Sequence, residues 1–490
     1  DREVNSAEEF DQWIMDRSEL ESAIGESAAN TYIDMTCDTA DEAKQAAWTS
    51  YLENVAPKFK PVAFVLDKKL KELAEKFGKT GEYYEVLYRD TAADVDLFRD
   101  DNVPLETELA KLDQEYDKIC GKMTVEFDGE ERTLPMMGKY SESADRSVRE
   151  AAWKAVASRR LEDEEAISAI YDTMVAKRDE CAKNAGFDNY VEFAYKSKHR
   201  FDYDTSHAYA FHDAIEKHAM PFVAKLDATR KKELGVDVLR PWDLNVDPKS
   251  RRQLSPFEGG VDLISKTNAC FQKLSPELGE MMAFMGDGSN TNGTANGAML
   301  DLDSRKGKAP GGYLYYRDRS KIPFIFMNAA GQHRDVETMV HEAGHAFHSM
   351  YSQNEPFVWY RSAPIEFAEV ASMSMELLTM PYWDAFYPNA EDANRARRKQ
   401  LEGSISLLPW IATIDAFQHW VYLNPTHSRE ERAQAWLDLE SRFGHMGHRG
   451  DFTGIEDERK FVWQRQGHFG PETVGRLVDR VQLELDKLPE

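Results

Sequence analysis

The segment His341-Glu342-Ala343-Gly344-His345 sets two histidines four residues apart, and an acidic residue, Glu369, follows the second by 24 positions. On a helix, residues at i and i+4 stand one turn apart on the same face, so both imidazoles reach one metal ion at a Zn–N distance of about 2.0 to 2.1 Å. A carboxylate from a later element completes the set. Three protein ligands leave the fourth tetrahedral position to water, the arrangement of a catalytic rather than a structural zinc. Whatever the chain folds into must therefore return the region of Glu369 to the face of the motif helix. Glu342 then sits beside the metal as general base.

The surrounding residues support a helix. Val336, Met339, Val340, Ala343, Ala346 and Phe347 recur at helical spacing and give the histidine face an apolar back, with Asp335 expected as N-cap. A metzincin is excluded, because that pattern needs Gly three and His six positions after the second histidine, where this chain has His348 and Tyr351.

A chain of 490 residues with 42% hydrophobic content can bury the core of two or three lobes. Acidic residues outnumber basic ones by 87 to 61, a formal charge of −26, which argues against nucleic acid and anionic membrane as partners. Neither an apolar run of membrane-spanning length nor a signal peptide is visible, so a cytoplasmic location is expected. Cys37, Cys120, Cys181 and Cys270 are far apart with no CxxC pair, which suits buried thiols in a reducing compartment. A GxSxG elbow and a GxGxxG turn are both absent.

Helical periodicity dominates, with long helices expected over 7–27, 40–76, 82–121, 142–185 and 205–234, and later ones over 363–380, 391–423, 428–443 and 471–488. A hairpin is expected where 124–127 and 132–134 flank Asp128-Gly129, a pair suited to positive φ. A strand over 322–327 precedes the motif helix, and Pro323, lacking an amide donor, suggests an edge position open to an extended peptide. The stretch 286–297 reads as a flexible linker. The division expected is a helical N-terminal region over 1–140, containing the hairpin, and a catalytic region over 141–490.

Four local matches, LDLDSRKGKAPGGY (300–313), IPFIFMN (322–328), DVETMVHEAGHAFHS (335–349) and EFAEVAS (366–372), resemble the M3 family of zinc oligopeptidases, the thimet oligopeptidase and oligoendopeptidase F group. The oligoendopeptidase branch fits best. The resemblance implies a mainly α, two-lobed zinc peptidase with a deep substrate channel and a small β-sheet next to the HExxH helix. It implies one Zn2+ per chain held by His341, His345 and Glu369, with oligopeptides as substrates. Spacing alone allows Glu366, Glu369 and Glu376 to share a helix face, and the family's pattern selects Glu369 as ligand, leaving the other two as supporting or salt-bridge acids. The stretch 307–313 resembles the family's mobile substrate loop, making Gly311, Gly312 and Tyr313 expected substrate-binding residues, with Phe326 on the neighbouring strand.

By the same resemblance, the water activated on zinc attacks the scissile carbonyl, and Glu342 takes its proton and returns it to the leaving amine. His468, in the stretch WQRQGH (463–468), matches the family's oxyanion histidine and is the second expected catalytic residue. The family also places tyrosines beyond that point, whereas no tyrosine follows Tyr422 here. This departure motivates an alternative, a catalytically impaired zinc protein that binds peptides. Another gluzincin, such as a carboxypeptidase, is a second alternative. His199, His207, His212 and His218 are expected on helix surfaces rather than in a second metal site, and the methionines at 281, 282 and 285 in a core. His445 and His448 are possible substitute donors, and oligomeric state is not set by the sequence.

Overall fold

Proline, glycine and polar turns cut the long periodic stretches into shorter helices. The computed structural model describes residues 2–78, 81–289, 293, 297–364, 367–444 and 452–465. The stretch 40–76 is two helices, Glu42–Asn54 and Ala56–Phe77, divided at Val55 with a proline in the second helix's first turn. The stretch 82–121 divides into Glu82–Leu97 and Asn102–Gly121. Likewise 142–185 becomes Arg146–Leu161 and Glu164–Asn184. The first helix runs ten residues past its expected end, to Cys37, because Ala29, Ile33 and Cys37 are buried on its C-terminal half. Ile33 and Cys37 pack against Phe324 and Phe326. Tertiary burial outweighs the polar signals there. Ala390–Leu423 and Arg429–Phe443 lie where periodicity placed them. The final expected helix, 471–488, and most of the linker over 286–297 lie outside the described residues.

The hairpin joins β1 (Thr124–Phe127) to β2 (Glu130–Thr133), with Phe127 opposite Glu130 and both loop residues at positive φ, 55° at Asp128 and 76° at Gly129. This is the two-residue turn that the Asp-Gly pair favours. A second sheet contains β3 (Leu300–Asp303), β4 (Tyr313–Arg317) and β5 (Ile322–Ala329) in the order β3-β5-β4, parallel on one side and antiparallel on the other. The edge placement expected for β5 is therefore incorrect, and β5 is the central strand. Pro323 is tolerated because pairing with β3 begins only at Ile325.

The motif helix spans His333–Ser352 and packs on this sheet. Its cap is Gln332, three residues before the expected Asp335, which instead closes a capping box by accepting the Gln332 amide at 2.8 Å. Val336, Met339, Val340, Ala343 and Ala346 are completely buried against Leu300, Leu302, Ile325 and Met327. Each large apolar side chain buried this way contributes about 1.5–3 kcal/mol. Phe271 and Phe347 meet edge to face at 4.8 Å on the next layer.

A short helix, Val370–Leu378, crosses the motif helix, and Gly344 marks the contact. A Cβ at 344 would lie 2.5 Å from Ser372 Cα and 2.7 Å from the Ala371 carbonyl oxygen. Both are backbone atoms, so one helix would have to move. All four cysteines carry free thiols, three of them buried. Among the described residues no helix is long and apolar enough to cross a membrane. Gly344→Ala is expected to destabilise the protein by about 2 kcal/mol through overpacking. Urea unfolding checks this, and an unchanged midpoint would contradict backbone contact at this position.

Candidate metal centre

One turn of helix brings the His341 and His345 rings within 4.9 Å, nearly perpendicular at 83°. Glu369 reaches both. Its Oε2 lies 3.0 Å from His341 Nε2 and 3.3 Å from His345 Nε2. An ion with tetrahedral ligands at about 2.05 Å separates its donor atoms by about 3.3 Å, so the three side chains stand where one metal would be held. No other such group of histidine, cysteine and acidic side chains occurs among the described residues. Burial pushes the Glu369 carboxyl up, but hydrogen bonds and charge from His341 and His345 outweigh it and hold the group well below the usual carboxylate range. It is therefore an ionised carboxylate, the form in which it could serve as a metal ligand.

Glu369 is not inside a helix running from 363, as periodicity suggested, but caps the helix that starts at Val370. Glu376 lies on that helix, so the two acids approach His341 from opposite ring nitrogens. Glu376 Oε1 is 2.7 Å from His341 Nδ1, which fixes the ring with Nε2 toward Glu369. Gln400 donates to the other Glu376 oxygen at 2.6 Å, and the Ser372 hydroxyl donates to Glu369 Oε2 at 2.8 Å. Sequence reasoning missed both. Ser372 lies one helical turn past Glu369 and was in principle legible, whereas Gln400 comes from another helix and carries no local signal. Glu366 lies outside the described residues.

Glu342 is 6% exposed, and its Oε2 is buried with no hydrogen-bond partner. A buried carboxylate oxygen left this way is costly unless a ligand satisfies it. Gly312 borders it, since a Cβ there would stand 3.8 Å from Glu342 Oε1, 3.3 Å from Thr338 Cγ2 and 3.4 Å from the Phe326 carbonyl oxygen. Gly311 beside it has φ +94°, a conformation that favours glycine. One of the four expected substrate-binding residues, Gly312, thus comes next to Glu342, with Gly311 preceding it in the loop.

The other two face elsewhere. Phe326 has no exposed surface and stacks on Tyr313 at 4.7 Å, while the Tyr313 hydroxyl meets Thr36 Oγ1 at 2.6 Å. Their side chains pack the sheet against the first helix and hold the glycine loop from behind, because strand alternation turns them to the core. His468, His445 and His448 lie outside the described residues. His348 is half-buried and is not in the metal-holding group. His212 is a correction, since it is buried rather than on a surface and pairs with Asp415 at 2.7 Å. Met282 and Met285 are core residues.

Glu376→Ala is expected to weaken metal affinity by about 10- to 100-fold while leaving the three ligands in place. Competition with a chromogenic chelator measures this, and wild-type affinity in the variant would contradict the orienting role.

The family model "Peptidase family M3" matches residues 139–451, and "Peptidase M3 N-terminal domain" matches 2–98. Among curated relatives, an oligoendopeptidase F homolog of Lactococcus lactis is 26% identical over 272 residues, 51% of this chain and 41% of that protein. Oligopeptidase PepF of Bacillus subtilis is 26% identical over 263 residues, 52% of this chain and 36% of that protein. The chain thus spans less than half the length of these curated relatives. A solved structure of PZ peptidase A with an inhibitor superposes with a TM-score of 0.87 at 31% identity, over 97% of this chain and 82% of that one. With its mostly helical, two-lobed architecture shared with that structure and a family match across well over half its length, the chain belongs to peptidase family M3.

Proposed function

We propose that this protein is a zinc metalloendopeptidase that hydrolyses internal bonds of short oligopeptides. The observation that carries this reading is the unpartnered, buried Glu342 oxygen beside three converging metal-ligand side chains, with a glycine loop bordering it. When bound by His341, His345 and Glu369, a zinc ion would polarise the scissile carbonyl and acidify a water. Glu342 takes the proton from that water and delivers it to the departing amide nitrogen. Gly311 and Gly312 let a peptide backbone approach this carboxylate without side-chain interference. Glu376 and Gln400 hold the His341 ring so that Nε2 keeps its direction throughout. The role of His468 at the oxyanion is carried over from the family's pattern alone. A division near residue 140 belongs to the same reading, supported by separate family matches at 2–98 and 139–451.

A quenched fluorescent oligopeptide tests the proposal. Cleavage at an internal bond is expected, abolished by a zinc chelator and restored by added zinc, with Glu342→Gln lowering kcat/KM by at least about 100-fold. Release of single C-terminal residues would instead identify a carboxypeptidase. Peptide binding without cleavage by wild type and variant alike would identify an impaired peptide-binding protein. Either result would replace the endopeptidase reading.

A further inference from the structure

The two halves of the glycine loop before β4 are held by different means. Gly307, Lys308 and Ala309 are buried, and backbone bonds tie this half to the end of the first helix and the residues just after it. The Gly307 carbonyl accepts the Thr39 amide at 2.6 Å, and the Ala309 amide donates to the Thr36 carbonyl at 2.9 Å. Pro310, Gly311 and Gly312 are exposed. Pro310 has no amide to donate, and among the described residues this stretch makes no backbone–backbone hydrogen bond. Its two adjacent glycines also have the most conformational freedom to lose. Such a stretch takes one shape only if something outside it imposes that shape.

Asn328 does so. Its Nδ2 donates to the Ala309 carbonyl and to the Gly311 carbonyl, both at 2.9 Å. Both partners only accept, so the amide nitrogen must face them, and the two protons of one NH2 group serve two carbonyls. The antiparallel register pairs Tyr313 with Phe326, and carried two residues further it sets Gly311 opposite Asn328. The carboxamide therefore continues the ladder with a side chain past the point where β4 stops pairing.

The consequence reaches Gly312. A trans peptide unit directs its carbonyl and its amide to opposite sides. With the Gly311 carbonyl turned to Asn328, the Gly312 amide points away from it and is left for a bound peptide. Gly312 itself stays beside the general base, where a Cβ would stand 3.8 Å from Glu342 Oε1.

We propose that Asn328 is a positioning residue for peptide binding: by holding the Ala309 and Gly311 carbonyls together, it fixes the exposed half of the glycine loop in the shape that sets Gly312 beside Glu342. The proposal rests on the placement of the peptide in the peptidase reading above. Asn328 acts through the loop and not on the reacting atoms. Without the clamp only a fraction of molecules would hold the loop in its binding shape, and the apparent dissociation constant would rise by the inverse of that fraction. The loss falls on binding, so KM carries it and kcat does not.

Two substitutions separate a donor from a spacer. Asn328→Asp keeps the shape of the side chain but puts a carboxylate oxygen, which repels both carbonyls, in place of the donating NH2. Asn328→Ala removes the bonds without adding repulsion. KM and kcat are measured with an uncharged, end-blocked quenched peptide, on which the new carboxylate has no direct charge effect. Kd is measured by fluorescence anisotropy with the same substitutions in the Glu342→Gln protein, which consumes no peptide. KM and Kd are expected to rise at least about tenfold in Asn328→Asp and about threefold in Asn328→Ala, with kcat within about twofold of wild type. Melting temperature and zinc affinity are expected to match the wild type. A side chain that merely filled space would give the reverse order, because Asp occupies the volume of Asn and Ala leaves a gap. That reverse order, an unchanged KM and Kd, or losses that track a fall in melting temperature overturn the clamp, while cleavage by the wild type keeps the peptidase reading. Binding in the expected order with no cleavage by the wild type supports the clamp and overturns the peptidase reading. A wild type that neither binds nor cleaves overturns both.

Discussion

The site depends on a backbone contact with no side chain between the partners. Gly344 lies between the two histidines, and Ser372 lies one turn beyond Glu369, so the approach of these two positions sets the distance from imidazoles to carboxylate. A single methyl group there would exceed the tolerance that holding a metal would impose on these three side chains, where donor positions matter within a few tenths of an ångström. The packing of Val336, Met339, Val340 and Ala343 on β3 and β5 keeps the motif helix from yielding. A close-packed interior transmits such a constraint instead of absorbing it.

Electrostatics complete the arrangement in layers. Glu369 is ionised deep in the protein because two imidazoles flank it, and the Ser372 hydroxyl donates to the same oxygen. Glu376 in turn holds one imidazole and is held by Gln400. A second buried ionic group lies behind the glycine loop. Asp301 pairs with Arg305 at 2.6 Å and with fully buried Lys308 at 3.0 Å, and Lys308 also donates to the Asp303 and Met327 carbonyls and lies 4.5 Å from the Phe326 ring centre. Truncating one partner of such a group would strand a charge in the core.

What the sequence made legible was what repeats locally. The four-residue histidine spacing, the apolar back of the motif helix and the Asp-Gly hairpin each depend on neighbours within a few residues, and each is found in the structure at those residues. What was illegible depends on contacts between distant segments. The period of β5 says it is a strand but not whether β3 and β4 flank it, so Pro323 pointed to an edge that does not exist. The aromatic character of Tyr313 and Phe326 is equally compatible with a cleft wall and with a core, and the first helix decides for the core through Ile33 and Cys37. His212 was read as a surface residue because its partner, Asp415, is about 200 residues away in a chain whose folded contacts ignore such separations.

The first helix, Ala7–Cys37, and the residues just after it support the far side of the site. Thr39 accepts no role in chemistry, yet its amide and hydroxyl bind the Gly307 carbonyl at 2.6 and 2.8 Å, the Ala309 amide donates to the Thr36 carbonyl at 2.9 Å, and Ser18 joins Pro356 at 3.1 Å. During synthesis this helix leaves the ribosome roughly 270 residues before the loop it must hold. At about 5–20 residues per second, its apolar face waits for many seconds without its partner strands. The glycine loop therefore acquires its shape late, from a surface made early, by a contact that spans about 270 residues of sequence.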